Sequence, residues 1–232
     1  MASAAHDGGK SLVAQAVDAV KAHIREAGLR VGDTLPGESF FAQKLGVSRA
    51  VMREAFGALA ALRLIDVANG RRAKVGALDG SVIADSLEHA LSTAQIHVAD
   101  VWDVRRTIEM RTAALAARNA TPVQAARIVA LADAMGHEDQ PHGQTTEDDI
   151  DFHLAIAEAS GNALFNQIVV SFVPLMRISV PKAWQTRQTQ DEKSDILGRH
   201  RRLAWAIANR DAGEAEKAMA AHFDDAIGAL LR

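Results

Sequence analysis

Four side chains in the second half of this 232-residue chain have types and surroundings suited to a metal ion. In the run Asp149-Ile150-Asp151-Phe152-His153, Asp149 and His153 stand four residues apart, so on a helix they project from one face. Phe152, Ile156 and Ala159 lie nearby. His200 shares a helical face with Ile196, Leu203 and Ile207, and His222 shares one with Met219, Ala226 and Leu230, beside Phe223. Burying Asp149 without a partner would cost several kcal/mol, and a cation would offset that cost. One carboxylate and three imidazoles suit Zn²⁺, with Ni²⁺ or Mn²⁺ as alternatives. Each histidine taken singly also reads as a hydrogen-bonded core residue, and Asp-x-x-x-His alone is a weak signal.

The same set could instead activate a metal-bound water, which makes a metal-dependent hydrolase the alternative. Two features weigh against it. The one general acid or base beside the ligands is Asp151, which lies off their face. Zinc hydrolases also usually leave a coordination position open, with three protein ligands rather than four.

A second concentration of chemistry lies in the first third, and it is cationic. Residues 1–75 hold eleven Lys and Arg against seven acids, while the rest holds fifteen against twenty-two. Arg49 and Arg53, four apart, begin a predicted helix that Ser48 caps. An arginine there reaches a guanine edge or a phosphate, and the helix dipole adds to the attraction. Asn69-Gly70 predicts a hairpin turn followed at once by Arg71, Arg72 and Lys74. A basic hairpin of this kind touches phosphates or a minor groove.

The elements that must carry these groups follow from periodicity. Apolar residues every three or four positions predict helices over about 11–27, 38–45 and 49–62. Strands are predicted at 64–67 and 71–75. Val51, Ala55, Leu59 and Leu62, with Phe56 beside them, form the predicted core face of the third helix. Gly46 between the second and third helices makes a helix-turn-helix, and the hairpin makes a wing. From Leu78 onward the pattern is helical throughout, over about 79–95, 98–119, 122–136, 146–160, 163–180, 190–209 and 212–231. Pro174 and Pro181 predict a kink and then a break near 181 in the fifth of these. Small residues such as Ala113, Ala114, Ala116 and Ala117 allow close helix packing. The fold expected is mainly α: a winged helix-turn-helix over 1–77 and an all-α antiparallel bundle over 78–232.

Composition narrows the class further. The formal net charge is −3, apolar residues make up 48%, and there is no cysteine. Disulfide scaffolds, thiolate metal sites and cysteine catalysis are therefore excluded. Apolar runs are only a few residues long, so no membrane span is expected. Residues 1–10 lack the hydrophobic segment of a secretion signal, and the expected location is the cytoplasm.

The stretch from Leu35 to Val75 resembles the winged helix of GntR-family bacterial transcription regulators. The matching residues are Gly32-Asp33, Leu35-Pro36, Glu38, Ala42, Leu45-Gly46-Val47-Ser48-Arg49 and Arg53-Glu54-Ala55. The resemblance implies DNA contacts by Ser48, Arg49 and Arg53 and by the wing tip Asn69, Gly70 and Arg71. The chain departs from the family pattern in having Ser39-Phe40 where an Arg is usual, and Arg63 where Gly is common.

Residues 98–225 resemble the FCD ligand-binding domain of the FadR subfamily. The carrying segments are Val104-Arg105-Arg106-Thr107-Ile108-Glu109, Leu115-Ala116-Ala117, Asp149 with Phe152-His153, Ser160-Gly161-Asn162, His200 and His222. The resemblance implies that Asp149, His153, His200 and His222 hold a divalent ion and that Arg105 helps bind a small carboxylate metabolite. It further implies a homodimer on double-stranded operator DNA, most often as a repressor. An ion pair of Arg105 with Glu109, one turn on, is the simpler role for that arginine. Arg177 and Lys182 are further candidates to reach a pocket.

The remaining residues carry plainer expectations. Trp102, Trp184 and Trp205 are expected in the core or a pocket wall. His137 and His142 fall in a predicted solvated loop, and 185–193 in an exposed loop or frayed helix start.

Overall fold

A computed structural model describes residues 10–135, 144–185 and 189–230, the last five of these by backbone alone. His137 and His142 lie outside the described residues. The chain divides into two compact units between Val82 and Ile83.

In the first unit, α1 (Leu12–Glu26) starts at Ser11, whose hydroxyl accepts the Ala14 N–H at 3.1 Å. α2 (Glu38–Leu45) stops at Gly46, which takes the left-handed conformation at φ 66°. α3 (Arg49–Ala61) is capped by the Ser48 hydroxyl, which accepts the Val51 N–H at 3.2 Å. Phe41, Met52, Ala55, Phe56, Leu59, Val20 and Leu35 form the core of this unit. The expected face of α3 is thus rotated: Met52 is buried, while Val51 is half-buried and Leu62 is exposed. Leu62 is displaced because α3 ends there, and Arg63 beyond it is left-handed at φ 57°.

The wing is shorter than its sequence suggests. β1 (Ile65–Asp66) and β2 (Lys74–Val75) pair antiparallel, Ile65 opposite Val75 and Asp66 opposite Lys74. The Asn69-Gly70 turn forms, with Gly70 at φ 71° and Arg71 N–H donating to the Ala68 carbonyl, but it sits within a loop rather than closing a two-residue hairpin. β2 spends its other edge on the segment 32–35: Val75 N–H donates to the Asp33 carbonyl at 2.9 Å, and Leu35 N–H to the Ala73 carbonyl at 2.8 Å. That third strand-like piece, bridged at Thr34 and Lys74, was not expected from the sequence.

The second unit is helical throughout its described residues. α4 (Ser81–Ser92) spans the division between units. α5 (Val98–Asn119) is the long central helix, flanked by α7 (Gln144–Ala159) and α11 (Ala212–Leu230). α6 (Pro122–Ala134) begins with a Thr121–Gln124 capping box and proline in its first turn, as Thr121-Pro122 predicts. α10 (Gln190–Ala208) packs on α6 and α11. Its Thr189 cap pairs with Glu192, so an ordered start replaces the expected frayed one from Thr189 onward. Ala113, Ala114, Ala116 and Ala117 are all buried, which lets the neighbours of α5 approach closely.

The single helix expected over 163–180 is two, α8 (Ala163–Ser171) and α9 (Val173–Gln185), bent by 58° at Phe172. Pro174 sits in the first turn of α9, where its missing N–H costs nothing, so the break falls before it. Pro181 lies inside α9 rather than ending it. Among the described residues, no single helix is long and apolar enough to cross a membrane.

Candidate functional site

The four candidate ligands converge in the second unit. α7 contributes Asp149 and His153, α10 contributes His200, and α11 contributes His222. Each is buried, and one ligand atom from each lies within 4.8 Å of the others. The ring centroids of His200 and His222 are 4.6 Å apart, and those of His153 and His222 are 5.1 Å apart. Of the apolar neighbours expected around His222, Met219 and Phe223 are buried. The side chains of Ala226 and Leu230 lie outside the described residues.

Hydrogen bonds orient two of the rings. His200 Nδ1–H donates to the Ile196 carbonyl at 2.9 Å, and its Nε2 lies within hydrogen-bond distance of Asp149 Oδ1, at 3.1 Å. His153 Nδ1–H donates to Glu109 Oε2, leaving Nε2 without a partner, 3.9 Å from Asp149 Oδ2. His222 Nδ1 also lacks a partner. Three imidazoles and a carboxylate oxygen therefore face one another in a buried space. A cation there gives His153 Nε2 and His222 Nδ1, both buried without a partner, a use.

Burial pushes His222 well below the usual histidine range, and the neighbouring His200 and His153 push it further, so it is neutral. Burial alone would raise Asp149, but the His200 hydrogen bond and the three nearby imidazoles hold it well below the usual carboxylate range. Burial would likewise raise Glu109, and the Arg105 guanidinium and His153 together outweigh it.

Arg105 stands beside this cluster on α5. It makes the expected pair with Glu109, Nε to Oε1 at 2.8 Å, with both side chains 1% exposed. Its guanidinium lies beside both the Trp102 ring (5.0 Å) and the Phe223 ring (5.1 Å), and its Nη1 has no acceptor. A narrow cleft, with about 10 Å³ of enclosed space, is lined by Trp102, Arg105, Asp149 and His222. Val180, Ala183, Trp184 and Ile196 complete the lining.

Two residues of the site were not foreseen in these roles. Glu109 holds His153 as well as Arg105, and that contact spans forty-four residues, beyond any local pattern. Trp102 was read as wall, whereas its Nε1–H is buried without an acceptor. Trp184 lines the cleft as expected, but Trp205 is 52% exposed on α10 and belongs to neither core nor cleft. Arg177 is paired with Glu147 at 3.0 Å, and neither it nor Lys182 lines the cleft. Asp151 is exposed, off the ligand face.

In the first unit, Ser48, Arg49, Arg53, Asn69, Gly70 and Arg71 are all exposed. Ser48 spends its oxygen lone pair on the α3 cap. Arg49, Arg53, Arg71 and Arg72 have no acidic partner among the described residues. They are cations at a helix start and on a short wing, with no acidic side chain among the described residues paired to them.

Residues 12–75 match the family described as bacterial regulatory proteins, gntR family, and residues 100–225 match the FCD domain. The regulator LutR of Bacillus subtilis is 29% identical over 204 residues, spanning 86% of this chain and 92% of LutR. A protein of Escherichia coli (strain K12), provisionally named L-lactate dehydrogenase operon regulatory protein, is 32% identical over 213 residues, spanning 90% of this chain and 82% of its own. Among solved structures, Streptococcus agalactiae GntR superposes with a TM-score of 0.64 at 26% identity, over 92% of this chain and 97% of that one.

Proposed function

The chain belongs to the GntR family of bacterial regulatory proteins and carries an FCD domain behind its winged helix, and from that premise we propose how it senses and what it reads. It is a DNA-binding transcription regulator rather than an enzyme. Asp149, His153, His200 and His222 hold a divalent cation, Zn²⁺ first among Zn²⁺, Ni²⁺ and Mn²⁺. When bound, that ion supplies a Lewis-acidic point for an oxygen of the effector. Arg105 takes a carboxylate oxygen of the same molecule through its free Nη1–H. The effector is a small carboxylate metabolite; the name of one relative refers to an L-lactate dehydrogenase operon, which puts hydroxy acids among the first to try.

The DNA half of the proposal rests on the exposed, unpaired cations. Arg49 and Arg53 enter a major groove from the start of α3, Ser48 and the wing residues Asn69, Gly70 and Arg71 contact the backbone or minor groove, and a homodimer spans a palindromic operator. Effector binding shifts the dimer away from the half-site spacing of the operator, so the protein acts as a repressor in the cytoplasm. A coupling of about 1–3 kcal/mol between the two sites suffices for that control.

One observation carries the reading: the four ligand atoms lie within 4.8 Å of one another, beside an arginine nitrogen buried without an acceptor. The experiment is elemental analysis of the purified protein, followed by a thermal-shift screen of carboxylates with and without a chelator. Stoichiometric metal and a carboxylate shift that the chelator abolishes are expected. Metal-free protein whose melting is indifferent to added Zn²⁺, Ni²⁺ and Mn²⁺ refutes the metal centre.

A further inference from the structure

Two hydrogen-bond donors beside the ligand cluster are buried without an acceptor, Nη1 of Arg105 and Nε1 of Trp102. Their side chains are 1% and 4% exposed, stand three residues apart on α5, and line the same cleft with Asp149 and His222. The indole is fixed in place: the Arg105 guanidinium lies 5.0 Å from its centroid, and Phe223 meets it edge-on at 5.5 Å. A buried indole N–H normally finds a partner, and leaving one unmet costs about 1–3 kcal/mol.

We propose that Trp102 is a ligand-contacting, specificity-determining residue. Its N–H donates to an uncharged oxygen on the carbon next to the effector's carboxylate, while Arg105 takes the carboxylate. The cleft then accepts short 2-hydroxy or 2-oxo monocarboxylates and turns away their 2-amino and dicarboxylate counterparts. This rests on the carboxylate reading above and narrows it.

Two observations set that selectivity. Asp149 is the one carboxylate in the lining, and its Oδ1 already lies 3.1 Å from His200 Nε2, so an ammonium group finds no free counter-charge. The rest of the lining, Val180, Ala183, Trp184 and Ile196, suits a short hydrocarbon tail rather than a second carboxylate.

The test is calorimetric titration of the metal-loaded full chain with L-lactate, propanoate, L-alanine and succinate. Lactate is expected to bind, propanoate about tenfold more weakly for want of the second oxygen, and alanine and succinate roughly a hundredfold more weakly. In Trp102→Phe, with metal content retained, lactate should fall about tenfold to the affinity of propanoate, which itself stays unchanged. Lactate affinity unaltered by the substitution, or equal losses for lactate and propanoate, overturns the role of Trp102 and leaves the carboxylate reading standing. Metal-loaded wild-type protein that binds none of the four overturns both. Should Trp102→Phe fail to fold, the wild-type chain answers through its three indole N–H resonances. Lactate, and not propanoate, should displace the one that persists in Trp184→Phe and Trp205→Phe, and an immobile resonance there overturns the proposal.

Discussion

Glu109 on α5 accepts the Nδ1–H of His153 on α7 and, through its other oxygen, the Nε–H of Arg105. A single buried carboxylate thus fixes the tautomer of a candidate metal ligand and the position of the candidate effector-binding arginine. Carboxylates placed behind a ligating imidazole raise its basicity and hold its angle, and losing one typically costs 10–100-fold in metal affinity. Glu109→Gln keeps the shape and one acceptor but removes the charge. Competition with a chromogenic chelator should show a loss of affinity in about that range. An unchanged metal affinity would mean that Glu109 serves Arg105 alone.

His200 sits at the other side of Asp149, 3.1 Å away, with its ring held by the Ile196 carbonyl. His200→Ala removes a ligand and a buried ring together, so a lower melting temperature by itself distinguishes nothing. The informative readout is the shift on adding metal. A ligand bound only by the native state stabilises it in proportion to the logarithm of its concentration over Kd, about 2.7 kcal/mol at a hundredfold excess. Wild-type protein stripped of metal should show such a rise on Zn²⁺ addition, and His200→Ala should lose most of it. Equal metal content in the two proteins would remove His200 from the ligand set.

Much of this site was legible because it obeys helical period. Asp149 and His153 are one turn apart, and His200 and His222 interrupt faces that are otherwise apolar, so each polar group stood out against its neighbours. The role of Glu109 was not legible, since a contact across forty-four residues leaves no periodic trace and the adjacent Arg105 offered a sufficient local partner. The indole of Trp102 reads as apolar bulk until its nitrogen is seen to lack an acceptor. In the fold, helix starts with a side-chain cap were placed within a residue or two, as at Ser11, Ser48 and Thr121. The break at Phe172 was missed because Ser171-Phe172-Val173 carries no turn residue and stays apolar across the bend. The strand-like segment at Thr34 was missed because one isolated bridge has no period to read.

Arg49 and Arg71 offer a contrast on the DNA side. Arg49 opens α3, where a side chain reaches base edges, whereas Arg71 follows the wing turn, where phosphates are nearer. Arg49→Ala should weaken operator binding by about 1–3 kcal/mol and relax preference at one base pair. Arg71→Ala should weaken operator and random duplex alike and lower the salt dependence by about one ion. Titrations of both variants against both duplexes at several salt concentrations separate the two. If Arg49→Ala also loses affinity for both duplexes equally, Arg49 is a phosphate contact.

Arg63 occupies a left-handed position at φ 57°, the conformation that glycine adopts without strain and other residues adopt at about 1–2 kcal/mol. It closes α3: its N–H donates to the Ala60 carbonyl at 2.9 Å and the next N–H, Leu64, to Leu59 at 3.0 Å. The Arg63 side chain offsets little of the strain, since its pair with Asp79 is 3.5 Å long and exposed. Arg63→Gly should therefore stabilise the first unit, by up to about 1 kcal/mol after the added freedom of the unfolded chain is counted. Arg63→Ala, which keeps the strain and loses the ion pair, should be neutral or slightly destabilising. Gly76 is the opposite case, because a Cβ there would drive into the Arg63 carbonyl oxygen, a backbone atom that cannot swing aside. Gly76→Ala should lower stability by about 1–3 kcal/mol. Denaturant unfolding of the three variants checks the set. A destabilised Arg63→Gly would show that the guanidinium matters more than the backbone at this helix end.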